Sequence, residues 1–323
     1  MNKNIGAPKK ILLGLQEGTC NLKCAKCYTH GENKVSTNTR HSGIMSSDDL
    51  KKILDEVEVY QPRIAPQTWD EPLINPHILE YLKEIKKRKL AITMDTNGLL
   101  LNEHKMHALV EMKVDSVFIS LDAFLPETYK KVRGVDKLQS LTEKVLQFIK
   151  IRGPEMYPRI GVSFVIEPEN SSEKDLFIDY WKNVADVVRV NQQFLSNRKL
   201  AESPQSKRTA CWSLDDSLMI HFNGDAALCC VDTHYENTIG NVLKEGVLNV
   251  WNGTFFSNAR NSHAKGNFKN IKICQDCELW SHDKPVNQRV ENILISKTNS
   301  HTYYNQVGKM ENILNNRFID WKN

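Results

Sequence analysis

Apolar positions in the first two-thirds of the chain follow two alternating periods, one typical of strands and one typical of helices. Short strand-like segments lie at 11–16, 63–69, 90–96, 116–121, 159–166 and 187–191, and we predict a strand at each. Between them, apolar residues spaced three or four positions apart predict helices. The first helix is capped by Ser46 or Ser47, and the second is capped by Asn75. The later helices cover 103–112, the segment up to about 152, and 172–183.

This alternation predicts an α/β fold in which right-handed crossovers place the strands parallel in one sheet. Six units fall short of the eight of a complete barrel, so an open barrel and a doubly wound sheet both fit the pattern. Beyond the last predicted strand the composition changes. We predict a first domain over 1–195, a polar linker over 196–210, a cysteine-rich unit over 211–283, and a polar tail of unknown role over 284–323.

Composition and charge narrow the class of protein. The chain has 323 residues, of which 40% are hydrophobic and 25% charged, as in ordinary globular proteins. No apolar run approaches the roughly 20 residues that span a bilayer, and the start lacks the apolar core of a signal peptide. We therefore expect a cytoplasmic protein that does not bind membranes. The net charge of +4 is small and evenly spread, so nucleic acid is not an expected partner.

Eight cysteines carry most of the chemical information, and they are clustered near the two ends of the chain. In a reducing cytoplasm, clustered cysteines more often bind metal or do redox chemistry than form structural disulfides. Cys20, Cys24 and Cys27 have the spacing C-x3-C-x2-C and follow the first predicted strand. Three thiolates can hold three irons of a [4Fe–4S] cube and leave the fourth iron open. The alternative is a zinc site that adds a nearby ligand such as His30.

Further short motifs stand at the ends of successive predicted strands, where active sites of β/α folds gather. They are Trp69-Asp70-Glu71-Pro72, Thr96-Asn97-Gly98, Ile119-Ser120-Leu121-Asp122 and Tyr129-Lys130-Lys131-Val132-Arg133-Gly134. With the cysteine triad, they resemble the radical SAM superfamily. The resemblance implies a partial (β/α)6 TIM-like barrel that binds S-adenosylmethionine on its first cluster. It also implies that the cofactor is contacted by Glu71, Asp70, Asn97, Ser120, Asp122 and Arg133. Tyr28 is the aromatic candidate for stacking on the adenine.

The late cysteines form a second set. Cys211 and Cys229 flank a predicted β-hairpin whose turn is Asn223-Gly224, and Cys274 and Cys277 form a C-x2-C pair. Four thiolates make a closed site, and the spacing alone also allows structural zinc. With the residues Ile239-Gly240-Asn241-Val242, Val250-Trp251 and Arg260, the segment resembles a twitch (SPASM-like) domain. That resemblance implies one auxiliary [4Fe–4S] cluster held by Cys211, Cys229, Cys274 and Cys277, hence two clusters in all.

Cys230 stands beside a predicted cluster ligand and has no evident partner. If it lies on a strand, it faces away from the cluster, either into the core or toward the barrel mouth. Packing is the ordinary role of a free cysteine. The functional alternative is a thiol that returns a hydrogen atom to a substrate radical, as in radical SAM epimerases.

The resemblance predicts an enzyme that reductively cleaves S-adenosylmethionine and removes a hydrogen atom from a small sugar- or aminocyclitol-like molecule. We expect a dehydrogenase similar to the 2-deoxy-scyllo-inosamine dehydrogenase type, with the auxiliary cluster accepting an electron from the substrate radical. A one-electron reductant such as flavodoxin or ferredoxin is the implied partner. The alternatives are an epimerase that uses Cys230, a maturase of ribosomal peptides, and a zinc-stapled binding module. Only about ten residues precede the first strand, which disfavours the peptide maturase.

Overall fold

The computed structural model describes residues 6–27, 29–31, 42–204, 206–232, 238–281 and 285–309. Within these ranges the strands are β1 (Lys10–Leu13), β2 (Gln16–Glu17), β3 (Gly43–Ile44), β4 (Arg63–Ala65), β5 (Thr93–Thr96), β6 (Ser116–Ser120), β7 (Arg159–Ile166), β8 (Val187–Gln192), β9 (Ser217–Ile220), β10 (Asp225–Ala227), β11 (Thr238–Asn241), β12 (Val286–Val290), β13 (Ile293–Lys297) and β14 (His301–Gln306). The helices are α1 (Ser47–Val57), α2 (Ile78–Lys87), α3 (Glu103–Glu111), α4 (Pro126–Arg133), α5 (Leu138–Arg152), α6 (Lys174–Trp181), α7 (Ser213–Asp216), α8 (Val242–Glu245), α9 (Val247–Trp251) and α10 (Thr254–Ala264).

The predicted six-unit barrel is confirmed, and strand order excludes the doubly wound alternative. The parallel strands β1, β4, β5, β6, β7 and β8 lie side by side in their chain order. A parallel bridge between Ile64 and Ile92 joins β4 to the segment that leads into β5. A doubly wound sheet reverses its strand order at a switch point, whereas a singly wound barrel does not.

The crossover helices follow the predicted apolar stripes. In α1, the Ser46 hydroxyl accepts a hydrogen bond from the Asp49 amide at 3.0 Å, and one face of the helix is fully buried. Each buried aliphatic side chain on that face contributes roughly 1.5–3 kcal/mol. The prediction that Asn75 caps the second helix is wrong, because α2 begins later, at Ile78. Asn75 instead accepts a hydrogen bond from the His77 amide at 2.8 Å in the turn before the helix.

The cysteine-rich unit continues the barrel sheet. Strand β9 pairs in parallel with β1, and β10 and β11 follow it in antiparallel order. The predicted hairpin is present as β9–β10, with Gly224 in its loop at a φ of 84°. On the outside of the barrel, the carboxylate of Glu56 in α1 accepts the amides of Val247 and Leu248 at 2.8 and 2.9 Å, so it caps the start of α9.

The polar segment that the sequence leaves without a role supplies three strands. Strand β14 pairs antiparallel with β8, and β13 and β12 extend the same sheet beyond it. The domain boundaries stay predictions, but 286–306 belong to the barrel sheet rather than to a separate tail. Residues 310–323 lie outside the described part of the chain. Among the described residues, none of the helices has the length and apolar character needed to cross a bilayer.

Candidate active site and second cysteine site

The loop after β2 carries Cys20, Cys24 and Cys27 and is tightly folded by backbone hydrogen bonds. The Cys27 amide donates to the Cys24 carbonyl at 2.9 Å, and the Gly31 amide donates to the Cys27 carbonyl at 2.8 Å. A Cβ at Gly31 would lie 2.3 and 2.5 Å from the carbonyl oxygens of Cys27 and Cys24. Glycine is therefore the residue that lets the loop close around the cysteines.

All three cysteines line a cavity of about 510 Å³ that runs from the carboxyl ends of the barrel strands into the barrel. The prediction that they share one site with the strand-end motifs fits this arrangement. The polar part of the lining consists of Lys10, Lys26, Gln67, Thr68, Asp70, Glu71, Asp95, Thr96, Asn97, Ser120, Asp122, Arg133, Ser163, Arg189, Asn191, Gln192, Gln193 and Ser300.

Glu71 is buried at this cavity and is held by three donors. Its Oε1 accepts from the Thr96 hydroxyl at 2.6 Å and the Leu73 amide at 3.1 Å, and its Oε2 accepts from the Asn97 amide at 2.7 Å. Burial raises the pKa of Glu71, and these hydrogen bonds oppose that rise. A carboxylate has about four acceptor positions, so one remains for the ammonium group of a ligand.

Asp70, predicted as a cofactor contact, lines the cavity and also holds the cysteine loop. Its Oδ1 accepts from the amides of Gly18 and Thr19 at 2.9 and 3.1 Å. The same oxygen shares a hydrogen bond with Nε2 of His30 at 2.7 Å. Asp70 thus fixes both sides of the loop that carries the three thiols. Of His30, the alternative zinc ligand, this contact engages Nε2.

Trp69, the residue before Asp70, connects the same motif to the cysteine-rich unit. Its indole Nε1 donates to the backbone carbonyl of Cys230 at 2.8 Å. The motif Trp69-Asp70-Glu71 therefore contacts three separate parts of the site through three consecutive side chains.

Asn97 and Ser120, both predicted to contact the cofactor, line the cavity as expected of strand-end residues. The Asn97 side chain donates to Oδ1 of Asn21 at 2.7 Å, and its Nδ2 lies 4.0 Å from the Cys20 sulfur. The Ser120 hydroxyl accepts from that of Ser163 at 3.3 Å.

Asp122 lies at the centre of a buried charge network. Its Oδ2 is 2.6 Å from Nη2 of Arg133 and also accepts from the Lys26 ammonium, which extends to Glu167 at 2.9 Å. Burial alone would raise the pKa of Asp122, but the adjacent Arg133 and Lys26 bring it below its ordinary value. Asp122 is therefore a charged anchor for two cations rather than a free ligand group.

Arg133 is buried between this network and the cysteine loop. Its Nη1 donates to the Cys24 sulfur at 3.5 Å. Its Nε is buried and has no hydrogen-bond partner among the described residues, which leaves a donor for the carboxylate of a ligand. Tyr28, the predicted adenine partner, lies outside the described residues.

The second cysteine set gathers around a separate, small cavity. Cys211 precedes α7, Cys229 follows β10, and Cys274 and Cys277 stand on the short C-x2-C turn, and all four line it. Apolar side chains form most of the remaining wall: Leu214, Leu228, Val231, Ile273, Leu279 and Trp280. Arg208 closes one side, donating to the Gln275 carbonyl at 2.8 Å and to that of Cys274.

The donor chemistry of both sets fits a bound metal cluster. Burial raises the pKa of Cys20 to about 11 and of Cys211 and Cys274 to about 12. Such thiols ionise readily only where a positive centre compensates the charge. Thiols spread around a cavity suit a multi-iron cube, whose irons occupy separate corners.

Cys230 faces the larger cavity, together with the first three cysteines, whereas its neighbour Cys229 lines the smaller one. Of the two predicted directions, the structure therefore gives the one toward the barrel mouth, where the cavity lies. Lys10 and Arg189, which were not predicted from the sequence, also line the cavity. The alternation of side chains along β1 could have indicated Lys10. Lys10 and Leu12 line the cavity, whereas Ile11 and Leu13 point to the other side of the strand and are fully buried.

Comparison with protein families identifies both halves of this arrangement. Residues 18–175 match the radical SAM superfamily, and residues 211–278 match SPASM, an iron–sulfur cluster-binding domain. The chain is 31% identical over 172 residues to the tungsten-containing aldehyde ferredoxin oxidoreductase cofactor-modifying protein of Pyrococcus furiosus, covering 51% of this chain and 46% of that protein. It is 26% identical over 172 residues to a probable GTP 3′,8-cyclase of Methanococcus maripaludis, covering 53% and 54%. The chain thus spans about half the length of these curated relatives.

Solved structures share the fold over most of the chain. BtrN in complex with AdoMet and 2-DOIA superposes with a TM-score of 0.58 at 14% identity, covering 84% of this chain and 93% of that chain. Streptococcus suis SuiB bound to S-adenosylmethionine superposes with a TM-score of 0.64 at 15% identity, covering 84% and 72%. At these identities the likeness establishes the fold of the partial barrel with its cysteine-rich domain.

Proposed function

The chain belongs to the radical SAM superfamily and carries a SPASM domain, and we propose that it oxidises an alcohol of a small sugar- or aminocyclitol-like molecule. S-adenosylmethionine and two iron–sulfur clusters are the cofactors of this domain pair. When bound, S-adenosylmethionine supplies the oxidising power to remove a hydrogen atom from an unactivated C–H bond. The residues of this chain bind, orient and shield the reacting groups.

The two cysteine sets divide the clusters between them. Cys20, Cys24 and Cys27 would hold the first cluster with one iron open, at the edge of the larger cavity. Cys211, Cys229, Cys274 and Cys277 would hold the second with all four corners closed. A closed site inside an apolar wall exchanges electrons but not ligands, which suits an electron acceptor for the oxidation.

Two charged residues would orient S-adenosylmethionine. The free acceptor position of Glu71 suits its ammonium group, and the unpartnered Nε of Arg133 suits its carboxylate. Asn97 and Ser120 add polar contacts at neighbouring strand ends. Asp70 acts indirectly, by holding the loop of the three cysteines.

One observation carries the proposal: a single cavity extends from the cysteine triad to Cys230, and Cys230 directly follows a ligand of the second set. A substrate in this cavity would lie between the two clusters. Amide side chains contribute to its wall, among them Gln67, Asn191, Gln192 and Gln193. Amides both donate and accept, and they therefore suit a molecule rich in hydroxyl groups.

Epimerisation is the second candidate, because Cys230 faces this cavity. A thiol there can return a hydrogen atom to the substrate carbon. The product then has the same composition as the substrate and the opposite configuration. Oxidation instead removes two hydrogens, so the two reactions differ in product mass.

Anaerobic incubation with S-adenosylmethionine and a one-electron donor, such as dithionite or flavodoxin, tests the proposal. We expect 5′-deoxyadenosine, and a panel of sugars, aminocyclitols and short peptides identifies the class that accelerates its formation. In deuterated water, a dehydrogenated product is two mass units lighter than its substrate. An epimerised product is one unit heavier. Absence of 5′-deoxyadenosine from fully loaded protein contradicts the proposal.

Replacement of Cys230 with alanine separates the two reactions. An epimerase loses its deuterated product but continues to form 5′-deoxyadenosine, whereas a dehydrogenase continues to form the lighter product. The exposed Lys9, which lies outside the cavity lining, provides a matched control as Lys9→Met.

A further inference from the structure

Lys10 lies at the inner end of the cavity, away from the cysteine triad. It is the first residue of β1, while the triad follows the carboxyl side of the same strand and β2. It pairs in register with Arg63 and Ser217, which begin their own strands. The side chain lines the cavity, together with Cys230.

The ammonium group of Lys10 differs from the other cations of the cavity wall in its lack of a partner within the described part of the chain. Lys26 and Arg133 share one buried aspartate, and Arg189 forms an ion pair with Asp95. Among the described residues, the side chain of Lys10 makes neither a hydrogen bond nor an ion pair. A cation that is largely removed from water without such a partner is costly.

The groups around Lys10 do not compensate the charge of its ammonium group. Burial lowers the pKa of Lys10, and the nearby Arg63 lowers it further. Asp95, Asp216 and Cys230 act in the opposite direction without offsetting both effects. Asp95 is already paired with Arg189, so its charge is largely used. An anion in the cavity would supply the missing compensation.

We propose that Lys10 binds an anionic oxygen group of the substrate, a carboxylate or a phosphate, at the inner end of the cavity. This inference rests on the proposed function and narrows it, since the substrate becomes an acidic or phosphorylated small molecule. The anion would be fixed at one end, with the reacting C–H bond directed toward the triad at the other. Lys10 is then a positioning residue that selects the substrate class.

Amine labelling tests the anion site with simple anions in place of the substrate. The anaerobically loaded protein is pulsed with N-acetoxysuccinimide, a neutral acylating reagent, and tandem mass spectrometry resolves acetylation of Lys10 from that of Lys9. Inorganic phosphate, acetate and myo-inositol are titrated separately at constant ionic strength. Phosphate identifies a phosphate site, acetate a carboxylate site, and myo-inositol is the uncharged control.

We expect phosphate or acetate to reduce labelling of Lys10 by at least about fivefold near saturation, by mass action, with Lys9 unchanged. Labelling that is the same with and without both anions overturns the proposal, and so does equal protection by myo-inositol. Failure of the proposed function is seen separately, because it removes 5′-deoxyadenosine formation while the protection of Lys10 persists.

Substitutions provide a second measurement that a merely structural role would not produce. The protecting anion should raise the melting temperature of the wild type, of Lys10→Arg and of Lys9→Met, since each keeps a cation at position 10. It should not raise that of Lys10→Met. Stabilisation of Lys10→Met equal to that of the wild type would place the anion elsewhere and overturn the proposal.

Discussion

The two cysteine sites use the same ligand atom in opposite surroundings. The triad borders a cavity of about 510 Å³ whose wall is rich in charged and amide groups. The second set encloses a small space with a mostly apolar wall. The two sites therefore differ in access rather than in ligand type: a metal site that borders an open cavity can bind a further ligand, whereas a closed one cannot.

The sites also differ in how the chain builds them. The triad is one short loop, held in shape by Asp70 and Gly31. The second set brings together residues from three separate segments, and its closure depends on packing of the hairpin, α7 and the C-x2-C turn. We therefore expect damage to the first site to be local and damage to the second to spread through its unit.

Removing the triad should have the largest effect. Replacement of Cys20, Cys24 and Cys27 with alanine is expected to lower bound iron from about eight to about four per chain, since one of two cubes is lost. Formation of 5′-deoxyadenosine should fall below detection, because no iron remains to bind S-adenosylmethionine. Iron analysis and chromatography measure both. Retention of eight irons would mean that these thiols are not the ligands.

Removing the second cysteine set should affect the product rather than the cleavage of S-adenosylmethionine. Replacement of Cys274 and Cys277 with alanine should also leave about four irons. Cleavage of S-adenosylmethionine should continue, while the oxidised product is lost, because its electron acceptor is missing. The melting temperature should fall further than in the triad variant, since the second set joins distant segments. An equal loss of 5′-deoxyadenosine in both variants would contradict the division of roles.

Substitution of Asp70 tests whether the cysteine triad depends on the hydrogen bonds that hold its loop. Replacement with alanine leaves the amides of Gly18 and Thr19 without their acceptor, and we expect a loss of about 10–100-fold in the rate of 5′-deoxyadenosine formation. Asp70→Asn keeps an acceptor oxygen and serves as the matched control with a smaller loss. If both variants keep the wild-type rate, the carboxylate does not support the loop.

Trp69 should give the smallest effect, because the substitution takes away one hydrogen bond and keeps an aromatic ring. Trp69→Phe removes its hydrogen bond to the Cys230 carbonyl and should lower the free energy of unfolding by about 0.5–1.5 kcal/mol. Alkylation of Cys230 by iodoacetamide should become faster, as its loop gains freedom. Unchanged stability and unchanged alkylation would show that this contact holds nothing in place.

Local patterns predicted the repeating part of the fold well. Strand β7 was expected over 159–166 and is observed as Arg159–Ile166, because most of the segment is apolar and Pro158 and Pro168 lie just outside it. The triad and the strand-end motifs came together as their spacing implied, since parallel strands place their carboxyl ends at one edge. Strand β4 was predicted too long, because Gln67, Thr68 and Trp69 belong to the loop that lines the cavity.

Contacts between distant segments could not be read in the same way. Lys26 lies within the cysteine loop, and its pairing with Asp122 and Glu167 appears only once the barrel is assembled. Likewise, β12 has exposed side chains at every position, so no buried face marks it as a strand. Its partner β13, not its own periodicity, decides its structure.

The pairing of early strands with late ones has a consequence for biosynthesis. Strand β1 pairs with β9, and β8 pairs with β14. The two outer strands of the barrel therefore have no partner on one side until residues 217–220 and 301–306 have been synthesised. At roughly 5–20 residues per second, a ribosome takes on the order of tens of seconds to deliver them. During that interval the nascent barrel presents open hydrogen-bonding edges, which makes it a natural client for chaperones that shield growing chains.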